Sequence, residues 1–243
     1  MSGALDGRVA LVTGAGGGLG SACAVALAEA GASLVLVGRR LGPLRDVARR
    51  TGGRAEVCDV TDGAGLRALI GALPPVDVLV TCAGGNRPQP FLDVDERGLE
   101  WSWSLNVRGA FVAAQAVAAR MLERGVHGSI VFVTSQMGHI GAPARTVYCM
   151  AKHALEGLTK ALALELAPHG IRVNAVAPTF VETPMTAPFL AAPDARDAIV
   201  RRIPLGRLGT PREVAQAVAF AASPAASLMT GTSLLVDGGW TAQ

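Results

Sequence analysis

Aromatic residues make up only 4% of this 243-residue chain, and Tyr148 is its single tyrosine. A single-stranded nucleic-acid binder stacks bases on aromatic rings, and there is little material here for such a platform. Lysine is almost missing: of 22 basic residues, all but Lys152 and Lys160 are arginine. The basic residues are scattered, Arg39-Arg40, Arg49-Arg50 and Arg201-Arg202 being the densest runs, and the formal charge is only +3. Without a basic stripe, neither nucleic acid nor a membrane surface is an expected partner. Charged residues total 17% against 50% hydrophobic, the reverse of a disordered chain. The 30 glycines and 14 prolines follow no G-X-Y period, which excludes a collagen-like rod. The 4 cysteines, Cys23, Cys58, Cys82 and Cys149, form no C-x-x-C pair and no metal-ligand spacing. They read as thiols of a reduced, cytoplasmic protein, and no metal is expected. No run of about 18 apolar residues occurs, so no membrane span is expected. No charged region, apolar run and cleavage site stand together at the N-terminus, so no secretory signal is expected.

What is present is alternation. Arg8–Thr13, Ser33–Val37, Ala55–Cys58, Val76–Val80, Ser129–Thr134, Arg172–Ala177 and Ser233–Val236 read as strands, several of them apolar throughout, as strands covered on both faces are. Between them Leu19–Ala30, Leu41–Arg50, Ala64–Leu73, Leu99–Arg124, Thr146–Pro168 and Arg212–Ala222 read as helices. The pattern predicts an α/β protein over 1–243: one domain, with a doubly wound parallel sheet of about seven strands and helices on both faces. One connection is long and proline-rich, carrying Pro178, Pro184, Pro188, Pro193 and Pro204. At the carboxyl end of a strand, such a segment reads as a substrate lid over about 179–205.

The first strand runs into Thr13-Gly14-Ala15-Gly16-Gly17-Gly18-Leu19-Gly20, which opens the first helix. Glycines there let the backbone turn sharply and let a diphosphate approach the helix N-terminus. No Gly-Lys-Ser/Thr follows, so a P-loop is excluded. The second strand ends in Val37-Gly38-Arg39-Arg40, without the carboxylate that grips both ribose hydroxyls of NAD. A guanidinium at Arg39 suits a 2′-phosphate, which favours NADP(H) and leaves NAD(H) open. Asp59, with Val60 beside it, ends the third strand and can accept from an adenine amino group.

Tyr148 and Lys152 share one helical face, so a phenol and an ammonium address the same bound molecule. A free phenol, with a pKa of about 10, is a poor proton exchanger, and a fixed positive charge beside it is expected to lower that value. Ser135 ends the strand immediately before this helix. These pieces together resemble the classical short-chain dehydrogenase/reductase family over about Leu5 to Gly239. The resemblance rests on Thr13-Gly14-x-x-x-Gly18-x-Gly20, Asp59, Ala83-Gly84, Asn106, Ser135 and Tyr148-x-x-x-Lys152, then Pro178-x-x-Val181-x-Thr183 and Val236-Asp237-Gly238-Gly239.

The resemblance implies a Rossmann-type fold and an NAD(P)(H)-dependent oxidoreductase interconverting a secondary alcohol and a ketone. Tyr148 is then the acid/base, Lys152 its pKa partner and a ribose ligand, and Ser135 the residue that orients the substrate oxygen. Asn106 supports a water through which Lys152 relays protons. Cys82, Ala83 and Gly84, with Val181 and Thr183, complete the implied cofactor set. Three departures stand out: Thr81-Cys82 where the family has two asparagines, Thr179 where it has glycine, and Gly17 where NADP-preferring members often carry a basic residue. Gln136 and Arg145 suit a polyol, sugar or hydroxy acid; a 3-oxoacyl compound is a further candidate. His139 reads as a loop-stabilising residue, and Trp101 and Trp103 as helix-interface residues. The family further implies a homotetramer built through long helices whose apolar residues, among them Ala110, Ala113, Val117, Ala161 and Leu162, cover much of their circumference. The contrasting expectation is a catalytically silent dinucleotide-binding redox sensor.

Overall fold

The computed structural model describes residues 3–243. Its strands β1 (Val9–Thr13), β2 (Ser33–Gly38), β3 (Arg54–Val57), β4 (Val78–Thr81), β5 (Ser129–Val133), β6 (Arg172–Pro178) and β7 (Ser233–Val236) form one parallel sheet. The order is β3-β2-β1-β4-β5-β6-β7. The longer helices are α1 (Gly18–Glu29), α2 (Leu41–Thr51), α3 (Gly63–Ala72), α4 (Glu96–Trp103), α5 (Gly109–Arg124) and α6 (Thr146–Leu166). The short α7 (Ala187–Leu190) and α8 (Pro193–Val200) precede α9 (Pro211–Ala222).

The apolar strand runs are explained by two cores. Val12, Leu36, Val80 and Val131 face α1, α2 and α9, whereas Leu11, Val35, Leu79, Ile130 and Phe132 face α3, α5 and α6. Leu11 sits between Val35 and Leu79 in register, so the centre of the sheet is apolar on both sides. Each such side chain contributes about 1.5–3 kcal/mol by leaving water, which fixes the positions of the strand ends that carry the chemistry.

Helix starts follow from their caps. Asp62 accepts from Gly65 N at the start of α3, Asp95 from Gly98 N at the start of α4, and Thr210 with Glu213 forms a reciprocal capping box on α9. α1 carries no side-chain cap, so its first N–H groups stay available.

Several boundaries differ from the sequence expectation. β4 starts at Val78 because the Asp77 carboxylate accepts from Val9 N and Arg8, turning the chain before the strand. β3 lies one residue earlier than expected. The helix expected over Leu99–Arg124 begins at Glu96, one residue after the Asp95 cap, and is broken by a π-turn over Ser104–Arg108. Asn106 causes or exploits that widening: its Nδ2 donates to Ser102 O, Ser102 Oγ and Gly85 O, in competition with regular helix bonding. The expected lid contains α7 and α8, which periodicity did not reveal. It packs on a separate small cluster of Ile203, Leu208 and Trp240, with Phe180, Leu190, Ile199 and Val200.

Candidate active site and cofactor cleft

β1 and β4 are neighbours, yet the chain leaving β1 crosses to one face of the sheet and the chain leaving β4 to the other. Open α/β sheets bind ligands at such a switch point. Here a cleft of about 380 Å³ opens, lined by Gly14, Gly16, Gly18, Leu19, Gly20, Arg39, Val60, Cys82, Ala83, Gly84, Ser135, Tyr148, Lys152, Val181 and Thr183. Nearly the whole expected cofactor set is thus in one place, together with the side chains of Ser135, Tyr148 and Lys152.

The glycine turn is built by close approach. Gly14 has φ 68°, and a Cβ there would lie 2.7 Å from Ala83 N and 2.8 Å from Ala83 Cα. A Cβ on Gly18 would lie 2.9 Å from Thr183 Cβ, so the start of α1 can meet the loop after β6 only without a side chain. The uncapped α1 N-terminus faces this space, which is the arrangement a diphosphate requires. At the β2 end, Arg39 and Arg40 line the cleft, both exposed and neither ion-paired among the described residues. Two free guanidiniums and no carboxylate fit a 2′-phosphate. An NADP-type dinucleotide therefore fits the residues present.

Two expected residues sit differently. Asp59 does not line the cleft; its Oδ1 accepts from Thr61 N and Thr61 Oγ1, and it borders an adjoining depression shared with Arg39 and Cys58. Asn106 is 1% exposed, and its side chain bonds both Gly85 and Ser102. Oδ1 accepts from Gly85 N at 2.9 Å and Nδ2 donates to Gly85 O at 3.0 Å, so the carboxamide clamps the loop after β4.

Burial dominates the electrostatics of Tyr148 and Lys152. Lys152 Nζ donates to Val133 O at 2.9 Å and lies 5.6 Å from the centroid of the Tyr148 ring. Burial pushes Tyr148 up to about 12, while a hydrogen bond with Ser135 and the charge of Arg145 pull it down. Burial lowers Lys152 itself to about 8, against the charge of Glu156, which favours its proton. Ser135 is 8% exposed; its Oγ accepts from Met137 N at 3.1 Å, which aims the hydroxyl at the cleft floor.

Other residues were missed in the sequence. Gly38, Arg40, Pro43, Leu44, Val133 and Thr186 also line the cleft. Thr186 Oγ1 donates to Val181 O, so a Thr-x-x-Thr spacing was the available signal. Glu156, one turn past Lys152, is 5% exposed; its Oε1 accepts from Thr134 Oγ1 at 2.6 Å and Ser233 Oγ at 3.1 Å, and His139 Nε2 lies 3.3 Å away. His139 thus holds a loop against β7, as expected. Trp101, expected at a helix interface, packs against the core between sheet and helices, and it also lies under Arg87 at 3.8 Å and borders a pocket shared with Tyr148. The Thr81-Cys82 departure leaves Thr81 Oγ1 buried without a partner, while Cys82 Sγ meets Cys23 Sγ at 3.8 Å.

Comparison with known proteins agrees with this geometry. The family model described as enoyl-(acyl carrier protein) reductase matches residues 14–241. L-xylulose reductase of Bos taurus is 42% identical over 239 residues, spanning 98% of both chains. The 2-keto-3-deoxy-L-fuconate dehydrogenase of Xanthomonas campestris is 38% identical over 98% of this chain and 81% of its own length. The crystal structure of a gluconate 5-dehydrogenase from Burkholderia cenocepacia, in complex with NADP and tartrate, superposes with TM-score 0.94 at 35% identity, covering 98% of this chain and 97% of that one. The chain belongs to the short-chain dehydrogenase/reductase family, oxidoreductases that exchange a hydride between a nicotinamide dinucleotide and a CH–OH carbon.

Proposed function

We propose that this protein is an NADP(H)-dependent reductase and dehydrogenase of small polyhydroxylated carbonyl compounds, with Tyr148 as its proton donor and acceptor. The observation that carries the reading is the convergence of Ser135, Tyr148 and Lys152 on the inner end of a cleft whose outer end carries the glycine turn and Arg39. When bound, the nicotinamide ring gives or takes the hydride.

The protein does the rest. With a pKa of about 12 the phenol is protonated at neutral pH, so Tyr148 is prepared to donate to a carbonyl oxygen as the alcohol forms. The Ser135 hydroxyl donates to the same oxygen and polarises it. Lys152, anchored on Val133 O, holds its proton below about pH 8 and gives the tyrosinate a nearby cation once the phenol has been spent. In the reverse direction Tyr148 must accept a proton, and the Ser135 bond and the Arg145 charge both act in that sense. Asn106 acts as a positioning residue by clamping Gly85, and Arg39 reads the 2′-phosphate. The segment over about 179–205 serves as the lid, with Met185 and Phe189 facing the substrate end.

The same reading carries a cytoplasmic homotetramer. Phe111 on α5, Met150 and Leu164 on α6, and Leu235 on β7 are exposed apolar side chains available for copies of the chain. Among the described residues no helix is long and apolar enough to cross a membrane.

The test is NADPH consumption, followed at the reduced-nicotinamide absorbance, with a small diketone and with ketoses, for the wild type and S135A. Turnover by the wild type and its loss in S135A are expected. Tight NADPH binding with no turnover of any carbonyl would overturn the reading and leave a silent redox sensor.

A further inference from the structure

Three openings meet at Tyr148: the cofactor cleft, a cavity of about 60 Å³ beneath the lid, and a shallow pocket bordered by Arg87 and Arg145. The cavity beneath the lid has an unusual lining. Gln136 Oε1, Gln136 Nε2, Asn86 Oδ1 and Thr179 Oγ1 are all buried and all without a hydrogen-bond partner among the described residues. Gln136 is 1% exposed. Leaving a buried polar atom unmet is unfavourable, and native proteins keep few of them. Here both ends of one amide, a second amide oxygen and a hydroxyl are left unmet around one small space next to Ser135. A chain of hydroxyl groups, each both donor and acceptor, satisfies this set. An alkyl chain leaves all of it unpaired.

A second observation adds charge. Arg145 follows Ala144, whose φ of 56° marks a left-handed, strained turn immediately before α6. Its guanidinium lies 4.8 Å over the ring of Phe189, which lines the same cavity. The only protein acceptor it reaches is Ala144 O, at 3.5 Å, and no carboxylate pairs with it among the described residues. Arg87, stacked on Trp101, shares the same rim and is also without an ion-pair partner. Half-burying an unpaired guanidinium is unfavourable unless a ligand supplies the anion.

We propose that the substrate is a polyhydroxylated carboxylic acid whose hydroxyls bond Gln136, Asn86 and Thr179 and whose carboxylate pairs with Arg145. This deepens the function proposed above and rests on it. A neutral ketose fills the cavity but leaves the arginine unpaired; a sugar acid satisfies both.

The experiment compares matched pairs with NADP+: the aldonates and the alditols of glucose, galactose, mannose, arabinose and xylose, which differ only in carboxylate against hydroxymethyl at one end. Diketone reduction with NADPH is run in parallel. The wild type is expected to oxidise at least one aldonate with kcat/KM about tenfold or more above its alditol, as one charge-assisted pair provides. R145M is expected to collapse that ratio toward one through KM. Q136M is expected to lower kcat/KM for aldonate and alditol alike while keeping their ratio, a split that general disruption of the fold would not give. Diketone reduction accompanied by equal turnover of aldonate and alditol, by alditol preference, or by no aldonate turnover at all would overturn the proposal while leaving the oxidoreductase reading intact. Failure of diketone reduction as well would bring down both.

Discussion

Replacing Gly14 by alanine tests whether the cleft depends on contact between the turn after β1 and the loop after β4. Two costs are expected. The left-handed backbone at φ 68° costs an L-residue about 1–2 kcal/mol. The added Cβ would also lie 2.7 Å from Ala83 N, inside the backbone of a loop whose own position is fixed by β4. Overpacking of this kind costs about 1–3 kcal/mol more. Gly7 supplies the control, because its φ is 72° but a Cβ there meets nothing within 4 Å. For a domain of this size, 1 kcal/mol moves Tm by about 2–4 °C. G7A should therefore lower Tm by about 2–8 °C and G14A by about 4–20 °C. Because Ala83 is displaced from the cleft, NADPH should protect G14A far less than G7A in thermal unfolding with and without cofactor. Equal losses of Tm and equal protection by NADPH in the two variants would refute the close-approach argument.

Three further outcomes are expected. R39D should shift the ratio of kcat/KM for NADP(H) over NAD(H) toward NAD(H) by about 10- to 100-fold, the value of one charge-assisted bond to phosphate; an unchanged ratio would show that Arg39 does not read it. Stability of the cofactor-free protein should depend on pH through Lys152. Its native value of about 8 lies below the unfolded value of about 10.4, so the unfolded chain holds the extra proton between them and stability rises with pH, by at most about 3 kcal/mol. Urea unfolding at pH 7.5 to 10 should give the wild type a more positive slope than K152M, and identical slopes would contradict burial as the cause. Tyr148 acts in the opposite sense: its native value of about 12 lies above the unfolded value of about 10, so its contribution is lost between those values. Y148F should remove that loss when the urea series is extended from pH 10 to 12, and an unchanged slope over that range would contradict the assignment.

The fold was legible because the strands are apolar on both faces and the helices alternate with them, signals that survive without any knowledge of contacts. The cofactor cleft was legible for a related reason: Gly14 and Gly18 are demanded by backbone geometry and appear directly as glycine in the sequence. What the sequence concealed depends on where a side chain turns. The bonds of the Asn106 carboxamide to Gly85 and Ser102 were concealed, because the π-turn that permits them has no periodic signature. The burial of Tyr148 and Lys152 was concealed as well, because spacing on a helix fixes only a shared face, whereas desolvation depends on everything packed around the two groups. α7 and α8 escaped notice because they are short and proline-led, and their apolar residues pack in part on the small cluster around Trp240. The unmet atoms of Gln136, Asn86 and Thr179 come from three separate segments, and only the folded chain brings them together.

Single-turnover reduction by Y148F, set beside a direct NADPH binding titration of the same variant, addresses the proposed chemistry most closely. Loss of the phenolic hydroxyl should slow the reaction by about 100-fold or more, the contribution of a positioned proton donor, while NADPH affinity stays within about threefold of the wild type. A Y148F enzyme that reduces its carbonyl substrate at the wild-type rate would show that the proton comes from elsewhere.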